Sequence, residues 1–323
     1  MALVASLVAA GVSAVFGHQL GSRWRSGGRV NPAMLAWSIA LAMFCVASFA
    51  LALGAWAGFS RPLFRMFYLF GAVLNVAWLA LGSVLVNSRD RTTSRLTGVA
   101  TALTAAGFLS SARELDPLAL VGFVFGTLWA LLLLDGHRDR LRTGSVALVL
   151  AFTFLAVMTV LPAPFTTALP VAGLPEGSEV LPAHVRAFAV GGNAIGSIIV
   201  IVGAVIAVGR LLWQFADRHD LATVAATSRR RPVGALAAGI LSGWRALGPA
   251  GMRDLATGNL FIALGVAIAA GSGSMFSFLG DTTAHAVGIA IGVVVMQRGF
   301  DRTTRPRTPV VDPAAAPVTR VLE

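Results

Sequence analysis

Within the apolar segment Pro62–Val86, Arg65, Tyr68 and Asn75 fall within about 80° of one another at 100° per residue of helix. At the seventh segment, Ala187–Trp213, Arg186 just before it shares one face with Asn193 and Ser197. In Thr282–Met296, His285 sits one turn from the start, above Gly288 and Gly292, with Asp281 immediately before the segment. Polar side chains in hydrocarbon are costly, so each is a candidate for binding. The arginines suit a phosphate or carboxylate. The asparagines suit either a ligand or a neighbouring helix, where such a hydrogen bond contributes about 0.6–2 kcal/mol. Arg65, Tyr68, Asn75, Arg186, Asn193, Asp281 and His285 are therefore the candidate ligand-binding residues, as a polar stripe or a vestibule at one membrane face.

Other chemistries lack their residues. All 25 basic residues are arginine, which removes the lysine that a Schiff base or a Walker-type phosphate loop needs. The single cysteine, Cys45, forms no intrachain disulfide or thiolate metal site and reads as a small apolar residue. His18, His137, His184, His219 and His285 form no HxH or HExxH pair, and haem ligation would need histidines at matched depth. No Asp or Glu falls at mid-membrane, which counts against proton coupling through a buried carboxylate. No paired carboxylates, Ser–His–Asp spacing or metal cluster is present. Catalytic residues, metals and cofactors are accordingly not expected.

The elements that position these groups follow from composition. Of 323 residues 56% are hydrophobic and only 12% charged, against about 25% charged in an ordinary soluble domain. A span needs about 20 apolar residues. The segments Ala2–Gly17, Pro32–Gly58, Pro62–Val86, Leu96–Ser111, Pro117–Leu134, Ser145–Leu161, Ala187–Trp213, Leu255–Phe276 and Thr282–Met296 meet or approach this, the fourth weakest because of Thr97, Thr101 and Thr104. The expected fold is an all-α integral membrane protein, a bundle of about nine transmembrane helices in residues 1–300.

Arginine distribution orients it. With the N-terminus outside and alternating spans, the inner segments hold 21 arginines and the outer side four: Arg61, Arg65, Arg113 and Arg186. The C-terminus is then cytoplasmic and the location the cell membrane. Residues 1–7 carry no charged side chain, the pattern of an N-out anchor and not of a cleaved signal. Pro162–His184, with Glu176, Glu179 and no arginine, reads as an outer loop. Residues 214–254 read as a cytoplasmic loop. Within it, 232–248 could form an interfacial helix through Leu236, Ile240, Trp244 and Leu247, while Arg229, Arg230 and Arg231 face anionic lipid. Residues 301–323 read as a disordered tail. The net charge of +11 does not indicate nucleic-acid binding, because the arginines cap apolar spans and make no basic face.

Glycine spacing indicates close helix packing. Gly192 and Gly196 are four apart, as are Gly288 and Gly292, while Gly258 and Gly265 lie a heptad apart. The same glycine-rich helices could face a protein partner or a second copy of the chain.

Three stretches, RPLFRMFYLFGAVLNVAWLALGSV, VRAFAVGGNAIGSIIVIVGAV and TGNLFIALGVAIAAGSG, together with the glycine-rich last span, resemble uncharacterised multi-pass integral membrane proteins of GC-rich Gram-positive (actinobacterial-type) bacteria. The resemblance implies a shared helical membrane fold and carries no reaction or cofactor.

Three functions remain: a non-catalytic binding, sensory or assembly protein; a small-molecule permease; and an outer-leaflet membrane enzyme. A polar cavity reaching Asn75 from one side favours the permease, a dry, close-packed midplane the non-catalytic protein, and three carboxylates or histidines converging in the outer vestibule the enzyme.

Overall fold

The computed structural model describes residues 1–26, 31–111, 117–170, 173–215, 250–279 and 282–303. Asp281, Arg229–Arg231, residues 232–248 and the tail beyond Thr303 lie outside them.

The described residues are almost wholly helical and contain no strand. The long helices are α1 (Ala2–Ser26), α2 (Pro32–Ala57), α3 (Arg61–Asn87), α4 (Arg91–Ser111), α5 (Pro117–Asp135), α6 (Arg138–Val160), α7 (Ala183–Phe215), α8 (Ala250–Leu279) and α9 (Thr282–Thr303). Seven of them, α1, α2, α3, α6, α7, α8 and α9, contain a stretch long and apolar enough to cross a membrane. The described apolar part of α5 is shorter, Ala119–Asp135. In α4, Thr93, Ser94, Thr97 and Thr101 are buried, and Thr101 and Thr104 return hydrogen bonds to the carbonyls of Thr97 and Ala100.

Several helices outrun the apolar segments. α1 continues through Arg23 and Arg25, α6 starts at Arg138 and not Ser145, and α9 runs to Thr303, so Asp301–Thr303 are helical and not part of a disordered tail. The cause is general: a helix keeps its backbone hydrogen bonds beyond the oil, and arginine stems lie along apolar surface while the guanidinium reaches water. Polar residues also fix helix starts. Asp90 caps α4 by accepting from the Thr92 and Thr93 amides and the Thr93 hydroxyl. Ser60 caps α3 with Pro62 in its first turn, and Asn31 caps α2. Gly58 and Gly136, at φ 83° and 64°, make the turns before α3 and α6 that L side chains resist.

Six helices close a ring in the order α1, α2, α3, α7, α8, α9 and back to α1. α4 and α5 pack on the outside of α7, and α6 joins α5 to α3. Indole N–H groups pin this layer: Trp129, fully buried, donates to the Ser145 hydroxyl (3.1 Å), and Trp78 donates to Thr153 (3.1 Å). Large apolar side chains such as Phe49, Leu103, Leu131, Phe154 and Met158 point outward, as lipid-facing residues do.

The α8–α9 pair is held backbone to backbone. A Cβ on Gly258 would lie 2.6 Å from the Gly299 carbonyl oxygen, and one on Gly265 2.5 Å from that of Gly292. Gly258, Gly265 and Ser272 run in heptads up α8, and His285, Gly292 and Gly299 run in heptads up α9. The antiparallel register therefore pairs 258 with 299, 265 with 292 and 272 with 285. Gly288 also touches Ser272, where a Cβ would come within 2.6 Å of the serine Cβ. A side chain at either glycine–glycine pair would force the helices apart, and overpacking of this kind costs about 1–3 kcal/mol or more. Gly265→Val and Gly292→Val are expected to lower the midpoint of thermal unfolding in detergent by several degrees. Gly271→Ala, where a Cβ meets nothing within 4 Å, should leave it unchanged. Equal midpoints for all three variants would refute this packing.

Candidate functional site

The third helix of the ring is not uniform. α3 is α-helical over Arg61–Phe67, widens to a π-helix over Tyr68–Leu74, and resumes as α-helix over Asn75–Asn87. A π-turn takes in one extra residue and leaves backbone groups misaligned with the α-helical ladder. In an unbroken α-helix the Val76 N–H would point at the Ala72 carbonyl. Here both have asparagine partners. Val76 N–H donates to Asn75 Oδ1 at 2.7 Å, and Asn193 Nδ2 from α7 donates to the Ala72 carbonyl at 2.8 Å.

Gly192 and Gly196 make that second bond reachable. A Cβ on Gly192 would lie 2.7 Å from the Val73 carbonyl oxygen, and one on Gly196 2.9 Å from that of Val76. The two glycines let the backbone of α7 settle against α3 where the π-segment ends.

A cavity of about 130 Å³ opens inside the ring at this level. α2 contributes Phe44, Ser48 and Leu51, α3 Phe67, Gly71, Ala72, Val76 and Leu79, α8 Val266 and Ala269, and α9 His285, Ile289 and Met296. Asn75, only 2% exposed, and Asn193 both line it. Their backbone bonds fix the amide orientations, since a carbonyl needs a donor and an N–H an acceptor. That leaves Asn75 Nδ2 and Asn193 Oδ1 without protein partners among the described residues: one donor and one acceptor. His285 completes the polar set. Its imidazole hydrogen-bonds to the backbone of Ser272, the next layer of the α8–α9 register, and stands edge-on to Phe67 with ring centroids 6.4 Å apart. Among the described residues, no arginine, aspartate or glutamate lines the cavity.

The predicted residues thus divide. Asn75, Asn193 and His285 converge. Arg65, Tyr68 and Arg186 form a separate group beneath the connection between α6 and α7. Arg65 donates to the Ala163 carbonyl at 2.6 Å and lies over the Phe165 ring, 5.1 Å from its centroid. Tyr68 is buried beneath a helical turn at Gly177–Val180, and Arg186 is near enough to act on it electrostatically. Thr166 Oγ1 and Thr167 Oγ1 bind the Glu179 carbonyl, and the Leu174 amide binds Thr282 Oγ1, so the connection is strapped across this end of the ring. The single stripe Arg65–Tyr68–Asn75 is corrected accordingly. It assumed 100° per residue throughout, and the π-turn rotates Asn75 off that face. Asp281 lies outside the described residues.

Ser48, Phe67, Ser272 and Gly299 were not singled out from sequence. Ser272 and Gly299 extend heptads that Gly258, Gly265 and Gly292 already set. Ser48 and Phe67 carry no comparable signal. Among the described residues no group of three or more His, Cys, Asp or Glu is placed to hold a metal ion.

This fold and site define a multi-pass helical membrane protein with an internal cavity. No family model, curated protein or solved structure matches the chain.

The Arg65 group acts as a clasp on the strap, apart from the cavity. Arg65→Met is expected to increase cleavage between residues 162 and 182 by added protease severalfold. Ligand binding in the cavity should change less than twofold. Unchanged cleavage would show that the guanidinium does not hold the strap.

Proposed function

We propose that the chain is a non-catalytic binding protein of the cell membrane whose ligand is a small uncharged molecule, held between Asn75 and Asn193. The observation that carries this reading is the pair of asparagines that line one cavity, each with one amide atom engaged by backbone and the other without a protein partner among the described residues. A cavity of about 150 Å³ is room enough for benzene, and the one here is of similar size. The apolar walls from Phe44, Leu51, Phe67 and Ile289 suit an apolar body, and the amides suit an adjoining carbonyl, amide or hydroxyl. A full charge would lose its hydration with no opposite charge among the described lining residues to meet it, which is costly. Arg65 and Arg186 lie beneath the strap, so phosphate or carboxylate chemistry at the cavity is not favoured.

The proposal includes nine spans, an outer N-terminus and a cytoplasmic C-terminus, supported by the arginine bias. It also keeps the resemblance to multi-pass proteins of GC-rich Gram-positive bacteria, and contact of Arg229–Arg231 with anionic lipid. In this orientation the strap and His285 face outward.

Benzamide, benzoate and benzylamine share an aromatic body and differ in charge and hydrogen bonding. With purified full-length protein in nanodiscs, calorimetry is expected to show benzamide bound at least tenfold more tightly than either ion. Asn75→Ala removes the free donor and should weaken benzamide about tenfold, the effect of losing about 1.4 kcal/mol. Ser48→Leu should weaken it by filling space while leaving both asparagines in place. Equal affinity for benzoate, or binding indifferent to both substitutions, overturns the reading.

A further inference from the structure

A second cavity, of about 330 Å³, lies inside the same ring toward the ends of α2, α3, α8 and α9 that carry Asn31, Asn87, Leu255 and Thr303. Arg23, Asn31, Ser83, Asn87, Asn259 and Thr303 give it a more polar lining than the first. The two cavities share helices α2, α3, α7, α8 and α9. On α3 the first ends at Leu79 and the second begins at Ser83, and on α8 the linings part between Val266 and Ile262; on α2, α7 and α9 seven residues separate them (Phe44 and Trp37, Asn193 and Val200, Met296 and Thr303). Four residues of α-helix rise about 6 Å and seven about 10 Å, so the partition is one to two side-chain layers thick.

Trp37 stands between the two linings, beside Phe300. Its indole Nε1 donates to the Leu79 carbonyl at 3.2 Å, and its ring meets Phe300 edge-on with centroids 4.5 Å apart. Gly82 provides its seat, since a Cβ there would lie 2.1 Å from Nε1. Trp37 also lines the larger cavity, so the indole has adjacent space into which to turn. One hydrogen bond and a glycine-shaped seat hold the partition on its polar edge.

We propose that the two cavities are halves of one transport path through the six-helix ring, and that the Trp37 indole is the gate between them. The path carries the class of molecule argued for the Asn75–Asn193 cavity, so this inference rests on the binding reading and adds movement across the membrane. An uncharged solute leaves the asparagine pair, passes the indole as it swings from Leu79, and enters the polar chamber, where water replaces the lost hydrogen bonds. No covalent step is involved.

The test is entry of propionamide into proteoliposomes containing the full chain, followed by stopped-flow light scattering against protein-free vesicles, alongside calorimetric binding of benzamide. Wild-type protein is expected to raise propionamide permeability above the vesicle background. Trp37→Ala removes the gate and Gly82→Ala drives the indole from its seat by a different route; each should raise the protein-dependent rate severalfold. Asn75→Ala should lower it in either background. If benzamide binds as predicted but wild type, Trp37→Ala and Gly82→Ala all leave permeability at background, transport is overturned and the binding reading stands. If wild type conducts and both gate variants conduct at the same rate, Trp37 is not the gate. If benzamide does not bind and no variant conducts, the binding reading fails and takes this one with it.

Discussion

Hydrocarbon offers no hydrogen bonds, so each backbone amide and carbonyl in a span must find its partner within the protein. α3 departs from the regular ladder over Tyr68–Leu74, in the part of the bundle where departure is hardest to accommodate. The Ala72 carbonyl and the Val76 amide are met by Asn193 and Asn75, and much of the architecture follows from that pairing. α7 must approach closely enough for Asn193 to reach, which requires Gly192 and Gly196. Once both amides are oriented by backbone, their free ends have a set direction and chemistry. A widened turn therefore turns two packing residues into a presented donor and acceptor.

The ring around them is closed by a different kind of contact. α8 and α9 meet through Gly258, Gly265, Gly292 and Gly299 with carbonyls against backbone, and their register delivers His285 to Ser272 at the cavity rim. The same glycines face another helix of the same chain, so those faces are occupied without a second subunit. Aromatic residues do the opposite work. Phe16, Trp37 and Phe300 fill the ring where the glycines have drawn its walls together.

Much of this was legible in the sequence because the membrane constrains it strongly. Apolar length marks the helices, arginines mark their ends, and GxxxG and heptad spacings mark the close contacts of Gly192, Gly196, Gly258 and Gly265. Asn75, Asn193 and His285 stood out as polar groups in oil. The π-turn was not legible. Tyr-Leu-Phe-Gly-Ala-Val-Leu has an ordinary apolar pattern, and its widening depends on partners from α7 more than 100 residues later in the chain. A constant 100° step past Tyr68 puts Asn75 on the face of Arg65 and Tyr68, and the widened turn takes it off that face. The Asp90 cap was missed for a simpler reason. Hydropathy sees α4 begin at Leu96, whereas the backbone begins it at Arg91.

Where two helices touch through glycine backbones, no side chains lie between them to reshuffle. Sliding or rotating one against the other would drive carbonyl oxygens into main-chain atoms. α8 and α9 are thereby welded into a single strut, and any breathing of the ring must occur at its other seams. The natural place to flex is α3, whose ladder is already loosened beside the cavity. Stiffness and give are thus assigned to opposite walls of one chamber.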